Sequence, residues 1–349
     1  MEEIVLKWYS IVSVWIVFLS VVGSVYVLWK KECNHVSSAA ELLGNQVPLL
    51  DQHQNDDFQE VYSCGSQSQS HSQQLWTSCW RGLHPGFLLL VRLLSLFVLT
   101  FFLSWDLHQW GASIFIYYTE WTYALVMVYF AIGSVVSAHG CWLYHTHIIT
   151  HSRNIDESPG KGDLEDNSAN ITRLITKKDS DRESVKFQRQ YYQEQDIQKA
   201  GFWGFLMQIS FQISAGAAIL TDIIFWCIIV PFVSNAHLGL NLLMGCMHTV
   251  NIVFLLLDTS INRLPFPWFR LAYFVLWSAL YVIFQWIIHL CGFTWWPYPF
   301  LELSTPSAPL WYLVLAAFHI ACYGMYALIV KVKDLLFSKL FTRSYVRSY

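Results

Sequence analysis

The sequence predicts an all-α fold, a multi-pass transmembrane helical bundle of seven helices. Six form a core and one precedes it at the N-terminus. Three observations carry this prediction. Seven apolar runs are each close to the roughly 20 residues that span a hydrocarbon layer about 30 Å thick as a helix. Hydrophobic residues make up 55% of the 349-residue chain and charged residues only 13%, about half the roughly 25% charge of soluble chains. Seventeen Trp and eighteen Tyr suit membrane interfaces, where one end of the ring is dry and the other wet.

The spans read as Trp8–Trp29, Phe87–Trp105, Ile114–Ser137, Trp203–Phe232, Leu238–Leu257, Leu271–Cys291 and Leu310–Val330. The first follows Glu2, Glu3 and a single basic Lys7, and no small-residue cleavage site comes after it. It is expected to be a retained helix rather than a signal peptide. The fourth is longer than one crossing needs, so it tilts or begins at the interface.

The domain plan follows from the spans. Residues 1–29 are an N-terminal transmembrane helix, and 30–80 a polar cytosolic connection. Residues 81–340 form a six-helix membrane domain with a charged cytosolic loop at 142–200, and 341–349 a tail. The first connection ends in Gly65-Ser-Gln-Ser-Gln-Ser-His-Ser-Gln-Gln74. It has almost no apolar surface to bury and is expected to be disordered. Nineteen of the 21 Lys and Arg fall on the side of the long loops and the tail. This places the C-terminus in the cytosol and the N-terminus on the exoplasmic side. The sequon at Asn170 then faces the cytosol and carries no glycan.

Several functions are disfavoured by composition. A net charge of −3 gives no basic surface for nucleic acid. No Gly-rich phosphate loop and no inverted repeat is visible, which argues against a transporter. The eight cysteines avoid the exoplasmic loops, Cys291 at a span end aside, so no disulfide framework is expected. Cys33, Cys79 and Cys141 sit near cytosolic helix ends, where palmitoylation occurs. Burial as small hydrophobes is the favoured reading. His147 and His151 are four apart, a spacing that can hold an ion. No Glu lies between them, so no metal and no cofactor is expected.

Polar residues inside the spans carry the chemistry. His248 in span 5, Asp222 in span 4 and His319 in span 7 all lie roughly 15 Å below the outer face at about 1.5 Å per residue. Thr119 and Glu120 lie roughly 8 Å down, and His289 sits near the outer end of span 6. Only a common cavity or an interior hydrogen-bonded cluster makes this tolerable. Asn241, His248, Asn251 and Asp258 share one stripe of a helix, expected to face the interior. Ser214–Ala218 is a run of small residues that permits close helix approach. Arg92, near the cytosolic end of span 2, either snorkels to that surface, the favoured reading, or pairs with a buried carboxylate. In the exoplasmic connection Gly292–Pro309, Trp295, Trp296 and Tyr298 are expected to be headgroup anchors.

Thr119 and His248 form the sharpest pair. A hydroxyl attacks an ester carbonyl when an imidazole takes its proton. Asp222 or Glu120 would orient the imidazole. Thr122 is a competing hydroxyl. A structural polar network with no chemistry is the alternative.

Cys79-Trp-Arg-Gly-Leu-His-Pro-Gly86, Tyr118-Thr-Glu-Trp-Thr122 and the stretch from Met244 to Glu302 resemble plant members of the rolling-stone family. Gly-Cys-Met-His248-Thr and Trp296-Pro-Tyr-Pro-Phe-Leu-Glu302 are similar, more distantly, to the androgen-induced protein family. The resemblance covers most of residues 76–340. It implies a membrane hydrolase of fatty acid esters with a threonine nucleophile at Thr119 and a histidine at His248. Asp222 is added as orienter from the residues alone. The expected partners are membrane lipids and a long-chain acyl ester substrate. The rolling-stone relatives are linked instead to cell fusion, which keeps open a non-enzymatic role in adhesion, fusion or scaffolding.

Overall fold

The structure, a computed structural model, describes residues 7–44, 75–156, 201–233 and 242–347; residues 33–44, 147–156, 232–233 and 242 are described by backbone alone. Among the described residues it is all-α, and seven helices are long and apolar enough to cross a membrane. They are α1 (Trp8–Gly44), α2 (Pro85–Trp110), α3 (Tyr118–Asp156), α4 (Gly201–Ile229, continued by Val230–Val233), α5 (Leu242–Ile261), α6 (Leu271–Leu290) and α7 (Ala308–Leu340). Large apolar side chains stay exposed along the spans, among them Phe18, Phe97, Val135, Val253, Ile287 and Leu328. Apolar exposure on that scale marks a surface that meets lipid. The protein is an integral multi-pass membrane protein.

Helix ends explain most boundaries. α2 opens with Pro85, whose missing N–H costs nothing at that position, and His84 Nδ1 accepts from the Gly86 N–H at 3.0 Å. It ends at Gly111, where φ is 70°, a conformation that only glycine adopts without penalty. Two helices run past the expected stops. α1 continues beyond Trp29 to Gly44, and α3 continues beyond Ser137 to Asp156. The backbone can stay helical in water where charged residues replace apolar ones, so hydropathy marks the membrane limit and not the helix limit. Residues 45–74, the Gly65–Gln74 run and the sequon at Asn170 lie outside the described residues.

α4 is the most buried span, and α1 the least. The small residues explain the first. Ser214 through Ala218 are all buried, and a Cβ on Gly216 would come within 2.7 Å of the Phe274 ring on α6. Absence of that carbon lets α6 lie directly on the α4 backbone. α1 packs against α6 and α7 at the edge of the bundle.

α4 widens into a π-helical turn at Ile224–Ile229. Pro231 comes two residues after it. It has no N–H to donate, and its ring clashes with the carbonyl four residues earlier, so the helix takes a wider turn there.

One end of the bundle is a polar and aromatic clamp. Cys79 N–H donates to Ile261 O at 2.8 Å, and the Val346 N–H donates back to Cys79 O at 2.8 Å. Trp80 bridges Tyr345 and packs on Phe337 and Phe341. Lys333 donates to Thr259 O and Asn262 O, both at 3.1 Å, placing a cation at the negative end of α5. Leu75–Trp80 is therefore a packed part of the membrane domain and not the end of an unstructured connection.

Arg92 corrects the snorkelling expectation. It is fully buried, and its Nε donates to Asp258 Oδ1 at 3.0 Å. Its Nη1 donates to Ser137 Oγ at 2.6 Å, Leu75 O at 3.2 Å and Gly133 O at 3.3 Å. Asp258 also accepts from Tyr129 and Asn262. A carboxylate on the inner stripe of α5 supplies what the water surface would have offered. His248, Asn251 and Asp258 are all buried, so that stripe does face the interior; Asn241 lies outside the described residues.

Candidate active site

The other end of the bundle is closed by the connection between α6 and α7. His289 stacks on Trp296 with ring centroids 3.6 Å apart, and its two ring nitrogens face Gln285 O at 2.6 Å and Trp295 O at 3.2 Å. Tyr312 OH donates to Leu301 O at 2.9 Å, and Trp286 Nε1 donates to the Tyr312 hydroxyl at 3.1 Å. The short 3₁₀ turn Pro299–Leu301 lies over the helix ends. Of the three expected headgroup anchors, Trp295 is exposed. Trp296 folds onto His289, and Tyr298 turns inward, where its hydroxyl accepts from the Tyr118 N–H at 3.2 Å.

Beneath this lid lies a hollow with about 540 Å³ of space free of atoms, part of it open to the outside. Thr119 from α3, His248 from α5 and Ser278 from α6 all line it, together with Tyr298 of the lid and His319 of α7. Leu220, Ile224, Val282 and Leu315 make much of the remaining wall apolar. Thr119 and His248 thus border one space. Thr122, one turn along α3, is fully buried and does not line it.

His248 is held by the widened turn of α4. Phe225 lies flat on the imidazole, with centroids 3.8 Å apart and planes within 6°. Nδ1 faces Asp222 Oδ1 at 3.8 Å, in range of charge attraction and beyond a hydrogen bond. Among the described residues, that nitrogen and both Asp222 oxygens are buried without a hydrogen-bond partner. Asn251 and Thr221 are the carboxylate's other polar neighbours. Asp222, of the two candidate orienters, is the one beside His248; Glu120 neighbours Tyr117 and Tyr298 instead.

The Thr119 side chain neighbours the Tyr298 phenol. Burial holds that phenol well above its ordinary range, so Tyr298 keeps its proton. A hydroxyl, an imidazole and a protonated phenol therefore border one largely apolar space. That set can support attack on a carbonyl, with a base for the proton and a donor for the oxygen.

A second imidazole shares the hollow. His319 Nε2 lies 2.7 Å from Ser278 Oγ, and Ser278 Oγ lies 2.7 Å from Tyr118 OH. His319 is among the polar residues that the sequence singles out within the spans, whereas Ser278, Tyr118 and Phe225 are not. Two of these are ordinary residues in apolar runs, with no periodic signal of their own. Pro231 was the available signal for Phe225, since a proline in a helical run displaces the turn before it.

His147 and His151 have side chains outside the described residues. No group of three or more His, Cys, Asp or Glu among the described residues is placed to hold a metal. The six cysteines whose side chains are described are free.

Searches of known protein-family models, of curated proteins and of solved structures find no match to this chain.

Proposed function

We propose that this protein hydrolyses long-chain fatty acid esters within the membrane, with Thr119 as nucleophile and His248 as base. The observation that carries the reading is the shared hollow: Thr119 and His248 line one largely apolar space at membrane depth. The Thr119 hydroxyl attacks the ester carbonyl carbon, and His248 takes its proton and returns it to the departing alkoxide. Water then releases the acyl group. Asp222 orients His248, the 3.8 Å separation closing to hydrogen-bond length as the substrate binds. Tyr298, which keeps its proton and lies beside Thr119, would donate to the developing oxyanion. The resemblance to the androgen-induced proteins points to the same pair. Lys and Arg placement adds the topology, with the clamp end in the cytosol and the lid end exoplasmic.

His248→Ala is expected to lower turnover of a long-chain ester by purified protein at least ~100-fold, the range for loss of a general base. Membrane insertion is expected to be unchanged. Equal activity in the two proteins removes the Thr119–His248 reading. Absence of turnover in both favours the non-enzymatic alternative, a scaffold or fusion component whose polar interior is structural.

A further inference from the structure

We propose that Ser278 and His319 form a second acyl-accepting site in the same hollow, taking the acyl group of a long-chain ester through a serine–acyl intermediate. The hydrogen-bond chain fixes the direction of every proton. His319 Nδ1 lies 2.7 Å from Leu315 O, and a carbonyl oxygen can only accept. Nδ1 therefore carries the proton. In the neutral ring Nε2 is then a bare acceptor, so Ser278 donates to it across 2.7 Å. The Tyr118 hydroxyl, 2.7 Å from Ser278 Oγ, must then donate to the serine. Ser278 is left with its proton already directed at a base, and Tyr118 fixes its rotamer. This is the activated-hydroxyl arrangement, formed with no rearrangement of side chains. No other hydroxyl in the hollow has its proton so placed.

The surroundings select the substrate. Ser278 and His319 border two spaces: the hollow under the lid, and a groove along α1, α6 and α7 with about 1160 Å³ of atom-free space, part of it open to the outside. Val17, Val27, Val275 and Ile320 make the groove walls apolar. The groove lies along a membrane-spanning helix, so its occupant is the acyl chain of a lipid ester whose carbonyl reaches the point where the two spaces meet. Ser278 Oγ bonds to the carbonyl carbon as the ester C–O bond breaks. The serine proton passes to His319 Nε2 and on to the leaving alkoxide, and water later cleaves the serine ester. The substrate class rests on the ester-hydrolase reading, but the pair does not involve Thr119 or His248.

The test uses the full chain in detergent micelles and a long-chain alkyl fluorophosphonate, which forms an oxygen–phosphorus bond at an activated hydroxyl and releases fluoride. The modified residue is mapped by mass spectrometry. The expected result is an adduct on Ser278, with labelling reduced at least ~100-fold in Ser278→Ala and in His319→Gln. Ser278→Ala removes one oxygen, so it keeps the test valid if His319→Gln misfolds. An adduct on Thr119 alone overturns this proposal and supports the Thr119 reading. An adduct on neither residue overturns it, as does Ser278 labelling that His319→Gln leaves unchanged in folded protein. If Ser278 is labelled and His248→Ala has full esterase activity, the Thr119–His248 reading fails and this one stands.

Discussion

Cys79 shows how one side chain reports the packing of the clamp. It is fully buried, and loss of water pushes its thiol up from 9.0 to about 11, with Lys333 opposing the shift. Its Sγ lies 3.3 Å from Ser260 O, as a protonated thiol requires. Burial thus favours the small-hydrophobe reading of this cysteine over palmitoylation. The raised value has a consequence for stability. The folded state holds the proton to higher pH than the unfolded chain, so this contribution is complete below about pH 9, declines above it and is gone beyond about pH 11. Two units correspond to at most about 3 kcal/mol. The thermal midpoint is expected to fall between pH 9 and 11, and to fall less in Cys79→Ala. Maleimide reaction at pH 8 should be at least ~10-fold slower in folded than in denatured protein. A folded-state rate equal to the denatured one would show that the clamp is open.

At the scale of the element, the π turn in α4 couples backbone shape to the site. An unbroken α-helix through Ile224–Ile229 would turn Phe225 away from His248, because the wide turn holds one more residue than an α turn. Pro231 imposes the widening, so Pro231→Ala should let the α register continue. The expected result is a protein of equal or higher thermal midpoint whose ester turnover is at least ~10-fold lower, because Phe225 no longer holds the His248 ring. Unchanged turnover would mean that the widened turn has no part in placing His248 for the proposed reaction. The same element shows why small residues matter: Gly216 lets Phe274 lie against the helix backbone, which brings α6, and with it Ser278, up to the hollow.

For the whole molecule, the two ends do different work. The clamp end is dense with hydrogen-bonded polar groups, and the lid end encloses a hollow with His248 Nδ1 unpaired at its edge. The Arg92–Asp258 pair ties α2, α3 and α5 together at full burial. Removing one partner strands a charge in a dry interior, at about 3–5 kcal/mol. Arg92→Met is therefore expected to lower stability by that amount. Arg92→Met combined with Asp258→Leu should recover most of the loss, since two apolar side chains leave no buried charge. Denaturation of the four proteins of this cycle measures the coupling. Additive losses would show that the pair contributes no mutual stabilisation.

Hydropathy by itself determined the all-α class and the seven helices long and apolar enough to cross a membrane. Bilayer thickness and helix rise fix those quantities without reference to any neighbour. The inward stripe of α5 was legible for the same reason, because helical period is local. Which groups meet was decided only by tertiary structure. Arg92 met a carboxylate 166 residues away, whereas local reasoning could weigh only its distance to water. Tyr298 turned inward because the lid folds over the helix ends. Ser278 became a partner of His319 through the packing of α6 on α7. Contacts between helices depend on rotation about each axis and on close approach at single glycines, and neither is written in the hydropathy of one strip of chain.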